Sequence, residues 1–227
     1  MGMIYGPSIT TQGLVLNFDA AATRSYPGSG TSWTDTTGSG TVLTSTGAPS
    51  YTTLGGARCF QFTTTGQYWS GTFSGLQPTV NLTIESWIYP QTDVSAGDYG
   101  TIFLLSGTSA AYMSFNKSNR KLAGYWYNHP TDGYHESGAA LSNNTWNHLV
   151  NVWDNSAATV YQYTNGTQTS VAGPVGNSAT GTAINIGQES LARQFAGGIA
   201  LVRMYYTALS STQVTQHYNA MRGRFGV

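Results

Sequence analysis

The sequence consists largely of short runs of β-branched and aromatic residues, each bounded by Gly, Pro, Asn or Ser. The runs are LVLNFDA, CFQFTT, NLTIESWIYP, GTIFLLSG, AYMSFN, KLAGYWYN, NHLVNVWD, ATVYQYTNG, TAINIGQ and GIALVRMYY. Many follow one another at intervals of roughly 10 to 20 residues, a rhythm typical of antiparallel sandwiches. We therefore predict an all-β chain folded as an antiparallel β-sandwich. Asn165 and Gly166 predict a tight hairpin turn, because a type I′ turn needs positive φ at both central residues.

A helical pattern occurs in the C-terminal segment LSSTQVTQHYNAMRG. Val214, Tyr218 and Met221 recur at spacings of four and three, which places them on one helix face. Either Ser210 or Ser211 can act as the N-cap, and Gly223 is expected to end the helix. One short helix after so many strands predicts an appendage that packs across an end of the sandwich.

The length and the uninterrupted strand pattern predict one domain over residues 1–227. A chain of this size buries about 70% of its unfolded surface, enough for one self-sufficient core. No charged or Pro-rich linker divides the pattern. We expect an N-terminal arm over residues 1–12, a sandwich over 13–206, and a C-terminal helix and tail over 207–227.

The composition excludes several classes of partner. Charged residues make up 8% of the chain and the formal net charge is zero, so no positive field is available for nucleic acid. No stretch approaches the ~20 apolar residues that span a bilayer, and the N-terminus lacks the pattern of a signal peptide. We expect synthesis in a cytosol and no membrane insertion. The single cysteine, Cys59, excludes an internal disulfide and predicts a buried thiol.

Five separated stretches, in the same order, resemble the laminin-G-like branch of the concanavalin A-like lectin/glucanase superfamily. They are GLVLNFDAA with SYPGSGTSWTD, then LTIESWIYP, NTWNHLVNVWD with YTNG, INIGQE and FAGGIALVRMYYTALSSTQVTQHYNA. This resemblance spans nearly the whole chain and implies a jelly roll with a short terminal helix. The first stretch combined with the closing NAMRGRFGV resembles versions of the domain in virion proteins of tailed bacteriophages.

The resemblance to phage proteins implies a non-enzymatic virion surface protein that is made in the host cytoplasm. The compact chain has no coiled-coil shaft, which favours a capsid decoration or cement protein over a fibre. Its partners would be the major capsid protein or tail proteins, and a homo-oligomer such as a homotrimer suits either location. The candidate attachment residues are Tyr5 in the arm and Arg222, Arg224 and Phe225 in the tail. A tail that covers its own core is the alternative.

Aromatic residues along the predicted strands indicate a carbohydrate-binding surface. Trp87 and Tyr89 share one face of a strand, as do Tyr125 and Tyr127 on another. Flat rings pack against sugar C–H groups while nearby amides bind the hydroxyls. The candidates are Glu85, Trp87, Tyr89, Tyr125, Tyr127, Asn151 and Trp153. The alternative function is thus a glycan-binding adhesin on a tail fibre or baseplate, binding a cell-surface polysaccharide, unless these aromatics fill the core.

A polysaccharide hydrolase is the third function, and the sequence argues against it. Retaining glycosidases need two carboxyl groups about 5 Å apart. The strand neighbours of Glu85 on the same face are Thr83 and Trp87, and the other two glutamates, Glu136 and Glu189, lie in other segments. The chain also lacks G-x-S-x-G, H-E-x-x-H and P-loop motifs. We therefore expect no catalytic residues and no enzyme.

The family resemblance implies calcium at the rim of the sandwich, which draws attention to Asp19 and Asp35. The residues themselves predict instead that Asp19 caps a turn and that Asp35 orders the loop TDTTGSG through Asx turns. No D-x-D-x-D-G loop is present, so calcium is the less favoured of the two interpretations.

A second polar cluster lies in YWYNHPTDGYHE and consists of His129, Asp132, His135 and Glu136. Side chains of these types can bind a metal or act as acid and base. Pro130 and Gly133 indicate a turn-rich loop, in which such residues are more commonly solvated. We expect no resident cofactor.

Overall fold

The computed structural model describes residues 8–74, 81–91, 97–107, 111–126, 134–172 and 181–227. Within these ranges the strands are β1 Leu14–Asp19, β2 Ser32–Thr34, β3 Val42–Thr46, β4 Ser50–Leu54, β5 Ala57–Phe62, β6 Tyr68–Thr72, β7 Leu82–Pro90, β8 Tyr99–Ser106, β9 Ala111–Asn116, β10 Lys121–Trp126, β11 Tyr134–Ala140, β12 Asn147–Asp154, β13 Thr159–Thr164, β14 Thr167–Ala172, β15 Ala183–Ile186 and β16 Gly197–Tyr205. The helix α1 spans Ser211–Phe225, and a 3-10 turn spans Leu191–Arg193.

The strands form two eight-stranded antiparallel sheets, which confirms the predicted sandwich. Sheet A has the order β14-β13-β12-β7-β16-β5-β4, and sheet B has the order β11-β10-β9-β8-β15-β6-β3-β2. In sheet A, β16 pairs with β5 through residues 197–199 and with β1 through residues 201–205. The last strand in the sequence therefore lies in the middle of sheet A.

The main core lies between the two sheets, where alternate side chains of each strand point inward. Phe60 from sheet A contacts Trp33 and Trp69 from sheet B at centroid distances of 4.7 and 4.6 Å. Aromatic pairs at such distances and at tilted angles add to the hydrophobic stabilisation. These three rings join the sheets at one end of the core.

Sheet A has a second buried layer on its outer face. Nearly every residue of β7, β12 and β16 is buried, although an antiparallel sheet usually exposes one face. The outer residues contact α1: Trp87 and Leu201 cluster with Phe225, while Val150 and Tyr205 cluster with Val214. The helix therefore covers a sheet face, and the expectation that it packs across an end of the sandwich is wrong.

The start of α1 agrees with the sequence and its end does not. Ser210 is the N-cap, and its side chain and that of Gln213 form a capping box. The helix continues through Gly223 to Phe225, so the predicted stop at Gly223 is wrong. Gly226 ends it instead, with φ of 69° and its N–H donated to the Arg222 carbonyl. The contact of Phe225 with sheet A outweighs the cost of one exposed glycine, about 1 kcal/mol.

Two smaller predictions are also settled by the structure. Asn165 and Gly166 both have positive φ, 51° and 76°, between β13 and β14, which confirms the predicted hairpin. Cys59 is a buried free thiol, and burial raises its pKa to about 12. Among the described residues, no helix is long and apolar enough to cross a membrane.

Candidate functional site

Glu85 lies at the centre of a buried polar cluster on the outer side of sheet A. Its side chain is fully buried beneath α1. One carboxylate oxygen accepts hydrogen bonds from His148 Nε2 at 3.0 Å and Arg203 Nη1 at 3.2 Å. The other accepts from the Tyr205 hydroxyl at 3.2 Å and His217 Nδ1 at 3.1 Å. The carboxylate is therefore saturated by groups of the protein itself.

These contacts fix the ionisation of Glu85. Burial alone would raise the pKa of this carboxyl, but Arg203, His148 and His217 outweigh it and hold the pKa well below its usual range. Burial and the neighbouring Glu85 charge raise the pKa of Tyr205, which therefore stays a neutral donor. Glu85 is thus an ionised carboxylate, and none of its partners is a second carboxyl group. Because it holds no proton, it is unsuited to donating one to a leaving group.

The hydrogen bonds also show which ring nitrogen of His217 carries the proton. The backbone N–H of Thr10 donates to His217 Nε2 at 2.9 Å, so that nitrogen carries a lone pair and Nδ1 carries the proton given to Glu85. His217 is consequently neutral. His217 also joins the segment before β1 to the helix. The cluster therefore connects that segment, α1 and sheet A.

The tail packs against its own sheet. Phe225 is 2% exposed and stacks on Trp87 at 4.0 Å between centroids and 9° between planes. Arg224 forms two hydrogen bonds of 2.7 Å with the carboxylate of Asp19 at the end of β1. Phe225 is therefore buried in the molecule itself and Arg224 is paired with Asp19, which matches the alternative of a tail that covers its own core. Arg222 is exposed.

Several predicted glycan contacts are not accessible. Glu85 and Trp87 are buried under α1, and Asn151 and Trp153 lie on the inner face of β12, where all four are 0% exposed. Asn151 Oδ1 accepts a bond from Gln162 Nε2 at 3.2 Å inside the sandwich. These four assignments are wrong, because the helix covers one face of sheet A and the strand period directs Asn151 and Trp153 into the core.

Three other predicted residues have different outcomes. Tyr89 is half-buried and packs edge-on against Trp146 at 5.4 Å beside the tail. Tyr125 lies half-buried on the outer face of sheet B. Tyr127 lies outside the described residues, as does Tyr5 of the N-terminal arm.

The two aspartates considered for calcium bind internal donors. Asp35 accepts hydrogen bonds from the Asn17 amide at 2.7 Å and from the hydroxyls of Thr37 and Ser39 at 2.5 and 2.8 Å. Asp19 accepts from the Ala21 amide at 2.9 Å in addition to Arg224. These bonds match the interpretation of both residues as turn-forming.

The polar cluster of YWYNHPTDGYHE is described only in part, since His129 and Asp132 lie outside the described residues. Glu136 on β11 accepts bonds from Tyr99 at 3.0 Å, Asn119 at 2.6 Å and Asn116. Burial opposes its ionisation, but these donors lower the pKa of Glu136. In the described part of the chain, no three His, Cys, Asp or Glu residues are placed to hold a metal ion.

The outer face of sheet B carries a row of side chains that crosses the strands, here called the sheet B row, in which Leu104 is buried at 3% exposure. Its members are paired neighbours in the order Tyr125, Tyr112, Leu104, Asn185, Ser70 and Thr44. Adjacent strands are about 4.8 Å apart, so the row extends roughly 24 Å across six strands. The Tyr125 and Tyr112 rings meet edge to face at 5.3 Å.

A polar depression of about 210 Å³ lies beside the middle of the sheet B row. Its lining includes Ser70 and Asn185 of the row together with Tyr68 and Glu189. Glu189 accepts hydrogen bonds from the Tyr112 hydroxyl at 3.3 Å and from Arg193 at 2.7 Å, which fix its position. The arrangement offers aromatic rings at one end and hydrogen-bonding groups at the other.

Most of this surface was missed by the sequence analysis, which identified only Tyr125. The alternation of AINI does place Asn185 opposite the buried Ile184 and Ile186, and YWSGT places Ser70 opposite the buried Trp69. That signal defines a face for each strand. It does not show that β15 lies between β8 and β6, which is what creates the row.

Solved structures with the same fold show low sequence identity. The receptor binding domain of botulinum neurotoxin D matches with a TM-score of 0.68 and 15% identity over 91% of this chain and 52% of that one. The chain thus spans about half the length of the toxin domain. Domain 4 of AbnA, a GH43 extracellular arabinanase from Geobacillus stearothermophilus solved with arabinotriose, matches with a TM-score of 0.67 and 16% identity over 91% of this chain and 98% of that domain.

A Trypanosoma rangeli sialidase in complex with the inhibitor DANA matches with a TM-score of 0.67 and 15% identity over 96% of this chain and 34% of that one. At these identities the likeness concerns the fold alone. No significant match was found among curated protein sequences. The sequence model of the family described as the concanavalin A-like lectin/glucanases superfamily matches residues 62–215, more than half of the chain. The protein therefore belongs to the concanavalin A-like lectin/glucanases superfamily.

Proposed function

We propose that this protein is a non-enzymatic carbohydrate-binding protein and that the sheet B row is its glycan site. The observation that carries the proposal is the register of the row: Tyr125 and Tyr112 lie on one line with Asn185 and Ser70, on either side of the buried Leu104. Its length of roughly 24 Å, given by the strand spacing, suits an extended oligosaccharide better than a single sugar.

The side chains of the row supply both kinds of contact that sugars need. Tyrosine rings present flat apolar surface to C–H groups, while amide, hydroxyl and carboxylate groups bind sugar hydroxyls. Glu189 is held in place by Tyr112 and Arg193 before any ligand arrives. Little ordering entropy is then lost on binding. The depression is open and shallow, so we expect weak binding by one copy and strong retention only by many copies together.

The structural relatives support the ligand class. Domain 4 of AbnA was solved with arabinotriose, and a botulinum neurotoxin serotype D domain, with 14% identity and a TM-score of 0.68, was solved with N-acetylneuraminic acid. Both share the fold of this chain. Carbohydrate is therefore the first ligand class to test.

The buried state of Glu85 supports a function without catalysis. A glycosidase acid must reach the glycosidic oxygen and hold a proton near neutral pH. Glu85 is covered by α1, and its pKa is held well below the usual range. We expect no reducing sugar to be released from any polysaccharide that the protein binds.

Glycan arrays and pull-down on insoluble polysaccharides test the proposal with a matched pair of variants. Tyr125→Ala and Asn185→Ala should each reduce retention at least tenfold. Tyr89→Ala, which truncates a half-buried tyrosine on the other sheet, should leave retention unchanged. Thermal unfolding identifies any variant that fails to fold. Absence of binding to every glycan, or equal losses in Tyr125→Ala and Tyr89→Ala, would contradict the proposal.

We further propose a virion surface as the setting, with capsid decoration as the first location to test and a tail fibre or baseplate as the second. The support is the resemblance of SYPGSGTSWTD and NAMRGRFGV to tailed-phage virion proteins. Of the three candidate attachment residues in the tail, Arg222 is exposed. Antibody labelling of particles in electron micrographs should show capsid decoration; labelling restricted to the tail would favour the adhesin location, and unlabelled particles would overturn the setting.

A further inference from the structure

The chain before β1, residues 8–12, lies on the outside of the molecule and is here called the N-terminal segment. None of its residues is buried. The Gln216 side chain donates a hydrogen bond to the Ser8 carbonyl, and the Thr207 hydroxyl donates to the Gln12 carbonyl at 3.5 Å. A segment without a buried side chain gains little from hydrophobic burial, so its position depends on such hydrogen bonds.

The N-terminal segment also makes a hydrogen bond to a buried histidine. The Thr10 N–H donates to Nε2 of His217 at 2.9 Å, and His217 is 0% exposed. The bond needs a lone pair on Nε2, which only the neutral ring provides. A proton added to Nε2 would turn this acceptor into a second donor facing the Thr10 N–H. Protonation of His217 is therefore incompatible with the contact.

The charges that face His217 are balanced while its ring is neutral. The Glu85 carboxylate from β7 accepts from Nδ1 of His217, and Arg203 from β16 pairs with that carboxylate at 3.2 Å. The other titratable groups of the cluster are the Tyr205 hydroxyl and His148 from β12, which both bind Glu85. A proton on His217 would give this buried cluster an excess positive charge, which is costly unless water can reach it.

The two histidines of the cluster differ in what lies beyond their second ring nitrogen. His148 binds Glu85 through Nε2, and its Nδ1 is buried without a hydrogen-bond partner in the described part of the chain. Its ring packs against Trp87 at 5.0 Å between centroids. The second nitrogen of His217 instead faces the N-terminal segment. Movement of this segment would let water reach the added proton, so protonation of His217 is coupled to its release.

We propose that the N-terminal segment is a pH-sensitive latch, held on α1 while His217 is neutral and released when His217 takes up a proton. Histidine is the side chain whose charge ordinarily changes between about pH 5 and 8. The latched form requires the neutral ring, whereas the released form accepts either state. The latch is therefore favoured at the upper end of this range and is lost as the pH falls. It shares no residue with the sheet B row and is independent of glycan binding.

Backbone ¹⁵N relaxation of the whole chain at about pH 8 and about pH 5 tests the latch. The amides of residues 8–12 should give heteronuclear NOE values of ordered backbone at the higher pH and lose at least half of them at the lower pH. The amides of β12 and of sheet B should keep theirs. In the wild type, the Thr10 amide shift and the ring ¹⁵N shifts of His217 should titrate with the same midpoint.

Two substitutions separate the histidines of the cluster. His217→Gln removes the titratable ring and should abolish the pH dependence of the NOE values of residues 8–12. His148→Gln is the matched control, because it removes the other histidine that binds Glu85 and leaves the bond between Thr10 and His217 in place. Its N-terminal segment should respond to pH as in the wild type. Circular dichroism at both pH values identifies a variant that fails to fold.

The wild type alone can overturn the proposal. Equal order of residues 8–12 at the two pH values would contradict it, as would a Thr10 titration whose midpoint differs from that of the His217 ring. Loss of order at the lower pH throughout β12 and sheet B would assign the change to unfolding of the protein and count against a latch. With folded variants, a pH dependence that persists in His217→Gln or disappears in His148→Gln would also overturn it.

Discussion

The outer faces of the two sheets are built from similar residues, but they differ in their exposure to solvent. On sheet A, Glu85, Trp87 and Tyr205 are covered by α1 and completely buried. On sheet B, Tyr112 and Tyr125 occupy corresponding outward positions and remain half-exposed. A helix of 15 residues makes the difference by turning one polar face into a second core. The alternation of residue types along a strand therefore separates its two faces, but it does not show whether the outer face meets solvent.

The largest expected difference between the two faces concerns their glutamates. Glu85→Gln should lower the free energy of unfolding by about 3–5 kcal/mol, because it leaves the Arg203 charge buried without its partner. Glu136→Gln on sheet B should cost less than about 1 kcal/mol, since that acid is partly exposed. Urea unfolding followed by circular dichroism measures both. Similar losses in the two variants would show that the covered and open faces do not differ in this way.

Removal of the tail anchor should have the next largest effect. Phe225→Ala should destabilise the protein by about 3 kcal/mol, because it opens a cavity over Trp87. Val227→Ala, at an exposed position two residues later, should change stability by less than about 0.5 kcal/mol. Deleting residues 224–227 should be at least as harmful as Phe225→Ala. A truncated protein with unchanged stability would contradict the role of the tail as a cover for sheet A.

The pH dependence of stability provides a more gradual test. The folded pKa of Glu85 is lowered, so its contribution is fully present above the unfolded pKa of about 4.3 and is lost as pH falls towards the folded value. Stability of the wild type should therefore fall below about pH 4.3 more steeply than that of Glu85→Gln. Urea unfolding at a series of pH values gives both curves. Parallel curves would show that Glu85 is not ionised and paired in the folded protein.

The smallest expected effects concern two glycines, Gly223 within α1 and Gly226 at its C-cap. Gly223→Ala should stabilise the protein by up to about 1 kcal/mol, because the position is helical, exposed and free of neighbours that a methyl group would meet. Gly226→Ala should destabilise it by about 1 kcal/mol, since its φ of 69° is unfavourable for alanine. Melting temperatures measure both. A stabilising Gly226→Ala would mean that the helix does not end there.

Local sequence signals predicted much of the sandwich but little of the site. Strand alternation, the Asn165–Gly166 turn and the Ser210 cap depend on residues close in sequence, and each agrees with the structure. Burial of His217 could not be predicted in this way, because a histidine on a helix ordinarily faces water. It is buried because it pairs with Glu85, 132 positions earlier.

The sheet B row shows the same limit. Tyr112 and Glu189 are 77 positions apart, and they meet only because β8 and β15 are neighbours in sheet B. No local pattern specifies that strand order. Tyr125 was identified because the strand period places it on one face with Tyr127, and the remainder of the sheet B row depends on the assembled sheet.

The central place of β16 in sheet A has a consequence for how the protein is made. This strand follows all the others in the sequence, yet β7, β5 and β1 all pair with it. The strands of sheet A therefore cannot all pair until residue 205 has left the ribosome. The aromatic residues on its outer face remain exposed to water until α1 emerges. Nascent chains stalled before that point should bind chaperones, whereas sheet B, whose strands all precede β16, is free to assemble earlier.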